Sequence, residues 1–180
     1  MATTTKQNRE LAKIGRDALD SIRDLARALD AKAHAEWYAS SLKGAALKKA
    51  AVLCGHTPQS MTADEMREAI AEALVDGSYT PDEIEIDEEK ARERIHEDAL
   101  EVTVRSGWES SASEFTAQEF CILITTGGPA VRIRGELDNG EPSRAWLEVQ
   151  DWGTPWIEHV AMGEDHAAVM AYARQFYFGE

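Results

Sequence analysis

The sequence predicts an α+β protein: an N-terminal helical region, then a four-stranded antiparallel meander sheet packed by a C-terminal helix. Three observations carry this. Apolar residues recur at helical spacing from Leu11 to Ala99 and then alternate with a period of two from Leu100. Two glycine-centred turns, Thr126-Gly127-Gly128-Pro129 and Asp138-Asn139-Gly140, separate the alternating runs. A final amphipathic stretch over 165–178 closes the chain. The expected organisation is a helical region over 1–80, an acidic connecting helix over 81–99, and a sheet with its helix over 100–180.

Residues 7–33 place Leu11, Ile14, Ala18, Ile22, Leu25 and Leu29 three and four apart. Arg16, Asp20, Arg23, Asp24 and Arg27 fill the other side, with opposite charges close enough to pair. A second helix is predicted over 35–53, with Trp37, Leu42, Leu47 and Val52 inside and Lys43, Lys48 and Lys49 outside. Gly55 stops it, so the two form an αα-hairpin. Thr62 and Glu65 fit a capping box in front of Met66, Ile70, Ala73 and Leu74, and Gly77 ends that helix. Thr80-Pro81-Asp82-Glu83 repeats the start signal with proline at the first helical position. Ile84 and Ile86 suit extended chain as well as helix. Over 87–99 the pattern is helical again, with Ala91, Ile95 and Ala99 on one face and Glu89, Arg92, Glu93 and Glu97 on another.

In the first strand Leu100, Val102 and Val104 alternate with Glu101, Thr103 and Arg105. A loop over 106–118 follows, then a strand with Phe120, Ile122 and Ile124 on one face. Val131, Ile133 and Leu137 point inward on the third strand, and Ala145, Leu147 and Val149 on the fourth. Arg132, Arg134 and Glu136 point outward, as do Trp146, Glu148 and Gln150. A register that keeps the apolar faces together sets Arg134 beside Glu148 or Trp146. The last helix presents Val169, Tyr172, Ala173 and Phe176.

The net charge is −14, unevenly spread. Residues 1–50 carry ten Lys/Arg against six Asp/Glu, residues 51–100 four against fourteen, and residues 101–180 five against thirteen. An acidic body repels a phosphate backbone, so direct nucleic-acid contact is left to the basic first fifty residues. A protein or nucleoprotein with a basic groove is the complementary partner. There is no apolar run of about 18 residues to span a membrane. The start, MATTTKQNRELAK, lacks an apolar core after its charges, so it is not read as a secretory signal. Cys54 and Cys121 lie far apart and are expected as reduced thiols in a cytoplasmic protein, with Cys121 packing as a small hydrophobe.

The candidate chemistry is sparse. The Thr126–Pro129 glycines are followed by a strand, whereas a phosphate loop leads into a helix N-terminus, so they are read as a turn. Cys54 with His56, and His159 with His166, lack zinc-ligand spacing. Asp151 and His159 are candidates for a carboxylate–imidazole pair, but no serine or cysteine is placed as their nucleophile. No catalytic residue, metal or cofactor is therefore assigned. Trp152-Gly153-Thr154-Pro155-Trp156 reads as an aromatic corner over the sheet. Two sets of partner-binding candidates remain. Residues 82–98 hold nine acids against three bases, and Glu85, Asp87, Glu88, Glu89, Glu93 and Glu97 are placed to imitate a phosphate backbone. On the outer sheet face, Arg132, Arg134, Trp146 and Glu148 supply aromatic and guanidinium anchors.

The wording of residues 95–180 resembles a family of small proteins from bacterial, phage and other mobile-element genomes. The carrying motifs are Val104 through Trp108, TGGPAVRIRGEL from Thr126 to Leu137, LEVQDWGTPW from Leu147 to Trp156, and FYFGE from Phe176 to Glu180. The resemblance brings no catalytic residues. It implies an accessory protein, and small acidic proteins of such elements are often inhibitors of host defence nucleases. The functional expectation is an inhibitor of a host nucleic-acid-binding defence complex, of anti-CRISPR or anti-restriction type. The alternative is a non-catalytic adaptor that self-associates through its helical half.

Overall fold

The computed structural model describes residues 2–81, 87–108 and 116–179, with side chains from residue 6 onward. The chain divides into two compact units, one of Met1–Ala26 with Arg92–Glu180 and one of Arg27–Ala91. The first helix, α1 (Ala2–Ala28), thus contributes most of its length to the sheet-containing unit.

The second unit is a bundle of α2 (Ala31–Ser41), α3 (Gly44–Leu53) and α4 (Ala63–Val75), with a 3₁₀ turn at Pro58–Ser60. Two breaks differ from the expected hairpin. Asp30 ends the first helix by capping the next, its carboxylate accepting from the Ala33 N–H at 2.9 Å. The helix expected over 35–53 is interrupted between Ser41 and Gly44, where Leu42 and Lys43 are extended and Gly44 takes a φ of 53°. Ser40 and Ser41 donate their hydroxyls back to the Trp37 and Tyr38 carbonyls, each at 2.7 Å, just where the helix stops. Such hydroxyls compete with helix continuation, and the glycine then takes the backbone turn that other residues avoid. The Thr62–Glu65 capping box forms as read, with reciprocal bonds of 3.3 and 2.6 Å. Tyr38, Leu47, Met66, Ile70 and Leu74 fill the core of this unit.

The other unit holds a five-stranded antiparallel sheet in the order β1-β2-β3-β4-β5. The strands are β1 (Glu101–Arg105), β2 (Glu119–Thr125), β3 (Ala130–Asp138), β4 (Glu141–Gln150) and β5 (Ile157–His159). The expectation of four strands is corrected by β5, which pairs Ile157 with Val149 and His159 with Leu147. A strand of three residues is too short to display a period of two, so the sequence shows only the corner before it. The β3–β4 hairpin turns at Asn139 and Gly140, with φ of 51° and 80°, the left-handed pair that a tight two-residue turn requires.

The inner face carries Phe120, Ile122, Val131, Ile133, Leu147 and Val149, all buried. The same unit also buries Leu11, Leu19, Ile22 and Leu25 of α1, Ile95 of α5 (Glu88–Asp98), and Val169, Tyr172 and Ala173 of α6 (Glu164–Ala173), with Ile22, Leu25 and Tyr172 beside Val131 of the inner face. Each fully buried aliphatic side chain contributes roughly 1.5–3 kcal/mol. The Tyr172 hydroxyl donates to the Ile95 carbonyl at 3.3 Å, and burial pushes its pKa up, which keeps it a donor. Phe178, after α6, is buried and packs on Phe120 with ring centroids 4.5 Å apart.

Gly135 is the tightest point of the sheet. A Cβ there would collide with the Arg144 carbonyl oxygen and the Phe120 ring. Because one obstacle is backbone, it cannot swing aside, and Gly135→Ala is expected to cost roughly 1–3 kcal/mol in urea unfolding. An unchanged midpoint would show that β3 and β4 separate freely there. Gly15 makes a second close approach, allowing α1 to lie on the His159 imidazole of β5. Burial, and then the Arg16 charge, hold the His159 pKa below its ordinary 6.5. As pH falls through the ordinary value, the unfolded chain takes up a proton before the folded one does. Stability therefore declines on acidification until the lowered folded pKa is passed. Between about pH 7.5 and 5.5, where histidine titrates, the melting temperature of His159→Gln is expected to fall less than that of the parent. Parallel curves would contradict this.

Candidate functional site

Strand alternation puts the second set of side chains on the outer sheet face, and the register sorts them into rows. Arg134 stands across from Cys121 on β2 and Trp146 on β4, and Arg132 across from Leu123 and Glu148. Arg105, Glu119, Glu136 and Arg144 form a third row. Neighbours in a row are close enough to bond, and opposite charges do so across strands.

A chain of ion pairs runs over this face. Glu119 accepts from Arg105 at 2.5 Å and from Arg134 at 2.7 Å. Glu148 accepts from Arg132 at 2.5 Å and from the Trp146 indole N–H at 3.1 Å, with Arg134 at 3.9 Å. The Arg132 guanidinium stacks over Trp156 at 4.1 Å, and Arg134 and Arg144 flank Trp146 at 5.6 and 5.3 Å. The side chain of Glu148 keeps only 13% of its exposure, so it is the desolvated hub, while the Arg105 end at 68% is open to water. Hydrogen bonding from Arg105 holds the Glu119 carboxyl below the usual carboxylate range, with the Arg134 charge acting in the same direction. Between β1 and β3 the face dips into a depression of about 350 Å³ that includes Thr103, Cys121, Arg132 and Arg134. Cys121 is half-buried there, and burial raises its thiol pKa against the pull of the two guanidiniums.

The four outer-face candidates, Arg132, Arg134, Trp146 and Glu148, are thus brought together. Sequence reasoning did not connect Glu119, Arg105, Arg144 and Trp156 to these four, although all belong to the same network. Trp156 reaches Arg132 only because β5 turns the chain back along β4. Glu119 opens β2 directly after the stretch read as loop, where nothing marks it as paired.

The acidic candidates divide differently. Glu85 lies outside the described residues. Asp87 caps α5, accepting from the Lys90 N–H at 3.1 Å and lying 3.7 Å from the Lys90 ammonium. Glu88 accepts from the Ala31 N–H at 3.2 Å, satisfying a free amide at the start of α2. Glu89, Glu93 and Glu97 are exposed and four apart, about 6 Å from one to the next along the helix axis. Lys90, Arg92 and Arg94 share this helix, so its described part is mixed rather than uniformly acidic.

Asp151 and His159 are not joined by a hydrogen bond or ion pair. The Asp151 carboxylate accepts from the Trp152 N–H at 2.8 Å within the corner turn, while His159 lies against α1. Among the described residues, no group of three or more His, Cys, Asp or Glu is arranged to hold a metal. Trp152 is exposed and lies over Gly128, where a Cβ would meet its indole, so it folds onto the Thr126–Pro129 turn.

Glu148→Ala would strand the half-buried Arg132 guanidinium and the Trp146 indole together. A loss of roughly 1–3 kcal/mol is expected, read by urea unfolding with tryptophan fluorescence. Glu119→Ala, at the wetter end, is expected to cost under about 1 kcal/mol. Equal losses would show that burial does not set the hierarchy of this network. No protein-family model matches the chain, and no curated protein or solved structure gives a significant match.

Proposed function

We propose that this is a non-catalytic binding protein of phage or mobile-element type that acts in the cytoplasm. It inhibits a host nucleic-acid-binding defence complex, such as a CRISPR effector or a restriction system, by occupying a basic surface of that complex. The observation that carries this is the line of exposed carboxylates at Glu89, Glu93 and Glu97 in a chain of net charge −14. Carboxylates spaced along a rigid helix present a row of negative charge to a channel built for phosphates. The outer sheet face adds prearranged aromatic and guanidinium groups, which lose little freedom on docking. No helix among the described residues is long and apolar enough to cross a membrane. The resemblance of residues 95–180 to mobile-element proteins points the same way.

Asp87 and Glu88 are engaged by backbone amides, so the discriminating substitutions are at the three exposed positions. Glu89→Lys, Glu93→Lys and Glu97→Lys together are expected to weaken binding to the defence complex at least tenfold and to relieve inhibition in a nuclease assay. Parent binding should also weaken steeply with salt. Unchanged affinity of the triple variant removes the mimicry. Full nuclease activity across purified CRISPR and restriction complexes, with no binding, removes the inhibitor reading altogether. A second reading, a self-associating adaptor, is favoured by the exposed edge of the sheet at β1.

A further inference from the structure

We propose that β1 is a self-complementary docking edge, through which two copies of this chain join their sheets around a two-fold axis at Thr103. In the described sheet β1 is the first strand and pairs with β2 alone, and all five of its residues are exposed. An edge strand presents a row of peptide N–H and C=O groups that a further strand can pair. The order Glu101-Val102-Thr103-Val104-Arg105 determines which strand fits. Laid antiparallel on a second copy with Thr103 facing Thr103, it sets Glu101 against the other copy's Arg105 and Val102 against its Val104. Every pair is then matched in polarity, and the two charged pairs are opposite in sign. A parallel arrangement in register would put glutamate on glutamate and arginine on arginine. A shift by one residue would put valine against threonine or charge.

The faces agree as well. Val102 and Val104 stand across from Ile122 and Phe120, so they belong to the apolar inner face, yet each remains 38% exposed. In the paired arrangement the valines of the second copy extend that inner face past the edge and shield them. Glu101, Thr103 and Arg105 continue the outer face, where Arg105 already bonds Glu119. The opposite edge is not equivalent. β5 has only three residues, and its His159 lies under α1 at Gly15. One open edge among the described residues gives an isologous, closed dimer rather than a growing ribbon. Five residues per copy make a small interface, of the weak and reversible class.

The inference rests on the fold alone, so its failure leaves the inhibitor reading untouched, and the converse holds too. Sedimentation velocity on the full chain, from roughly 1 µM to 1 mM, is expected to show a monomer–dimer equilibrium. Glu101→Arg, which sets arginine against arginine, should weaken it at least tenfold. The charge swap Glu101→Arg with Arg105→Glu should restore dimerisation to above the single variant. Circular dichroism of each variant checks that the fold is kept. A cross-link fixes the register. Directly opposed Cα atoms in an antiparallel pair are about 4.5–5.5 Å apart, within disulfide range. Thr103 also faces Cys121 of its own chain, so the background is Cys54→Ser with Cys121→Ala. In that background Thr103→Cys is expected to form a covalent dimer on mild oxidation, and Glu101→Cys, which faces position 105, is not. A monomer at every concentration, or equal cross-linking at 101 and 103, would overturn the proposal.

Discussion

Ile122, Ile133 and Leu147 stand directly across from one another on β2, β3 and β4, each with no solvent exposure. This row sets the register of the whole sheet. Slip β3 or β4 by one residue, and arginine or tryptophan would point into the core while leucine or isoleucine faced water; slip β2, and Glu119 would turn inward. The outer network exists because this row is fixed. Arg134 meets Trp146, and Arg132 meets Glu148, only in the register that keeps the inner row dry. Polar order on one side of the sheet is thus a by-product of apolar order on the other. The interior also explains the narrowness at Gly135, where Phe120 crosses β3 and leaves no room for a side chain.

Much of this was readable from residue order. The Asp138-Asn139-Gly140 turn, the Thr62–Glu65 box and the switch of period at Leu100 each reflect a local rule, which acts within a few residues and survives without knowledge of the fold. What escaped was set by distant partners or by competition. Ile157-Glu158-His159 becomes a strand only because β4 lies beside it. The helix break after Ser41 comes from two hydroxyls bonding back to the chain, a contest whose outcome the apolar spacing of Leu42 and Leu47 does not reveal. Leu11, Ile22 and Leu25 declare that α1 has an apolar face, but not that this face belongs with a sheet whose strands come much later in the chain. The outer site was half legible. Alternation found Arg132, Arg134, Trp146 and Glu148, while Glu119 and Trp156 needed the strand pairing itself.

The acids show how local geometry divides a charge excess before any partner arrives. Asp87 and Glu88 belong to backbone amides, and Glu119 and Glu148 to arginines across the sheet. Composition weighs all of these equally, yet only carboxylates without such engagements keep the field they would show a stranger. Within the acidic stretch over 82–98, Glu89, Glu93 and Glu97 are therefore the described carboxylates that remain exposed to meet a partner.

The contact of Gly15 with His159 has a consequence for the order in which the protein is made. The bundle of α2, α3 and α4 draws on one continuous run of chain and has all its parts once residue 91 has left the ribosome. The sheet unit takes its first helix from residues 2–26 and its last strand from residues 157–159. Throughout synthesis of the strands, the apolar side of α1 waits without the surface it will cover. The delay before Leu11, Leu19 and Ile22 gain their native surroundings is set by the connectivity rather than by any single residue.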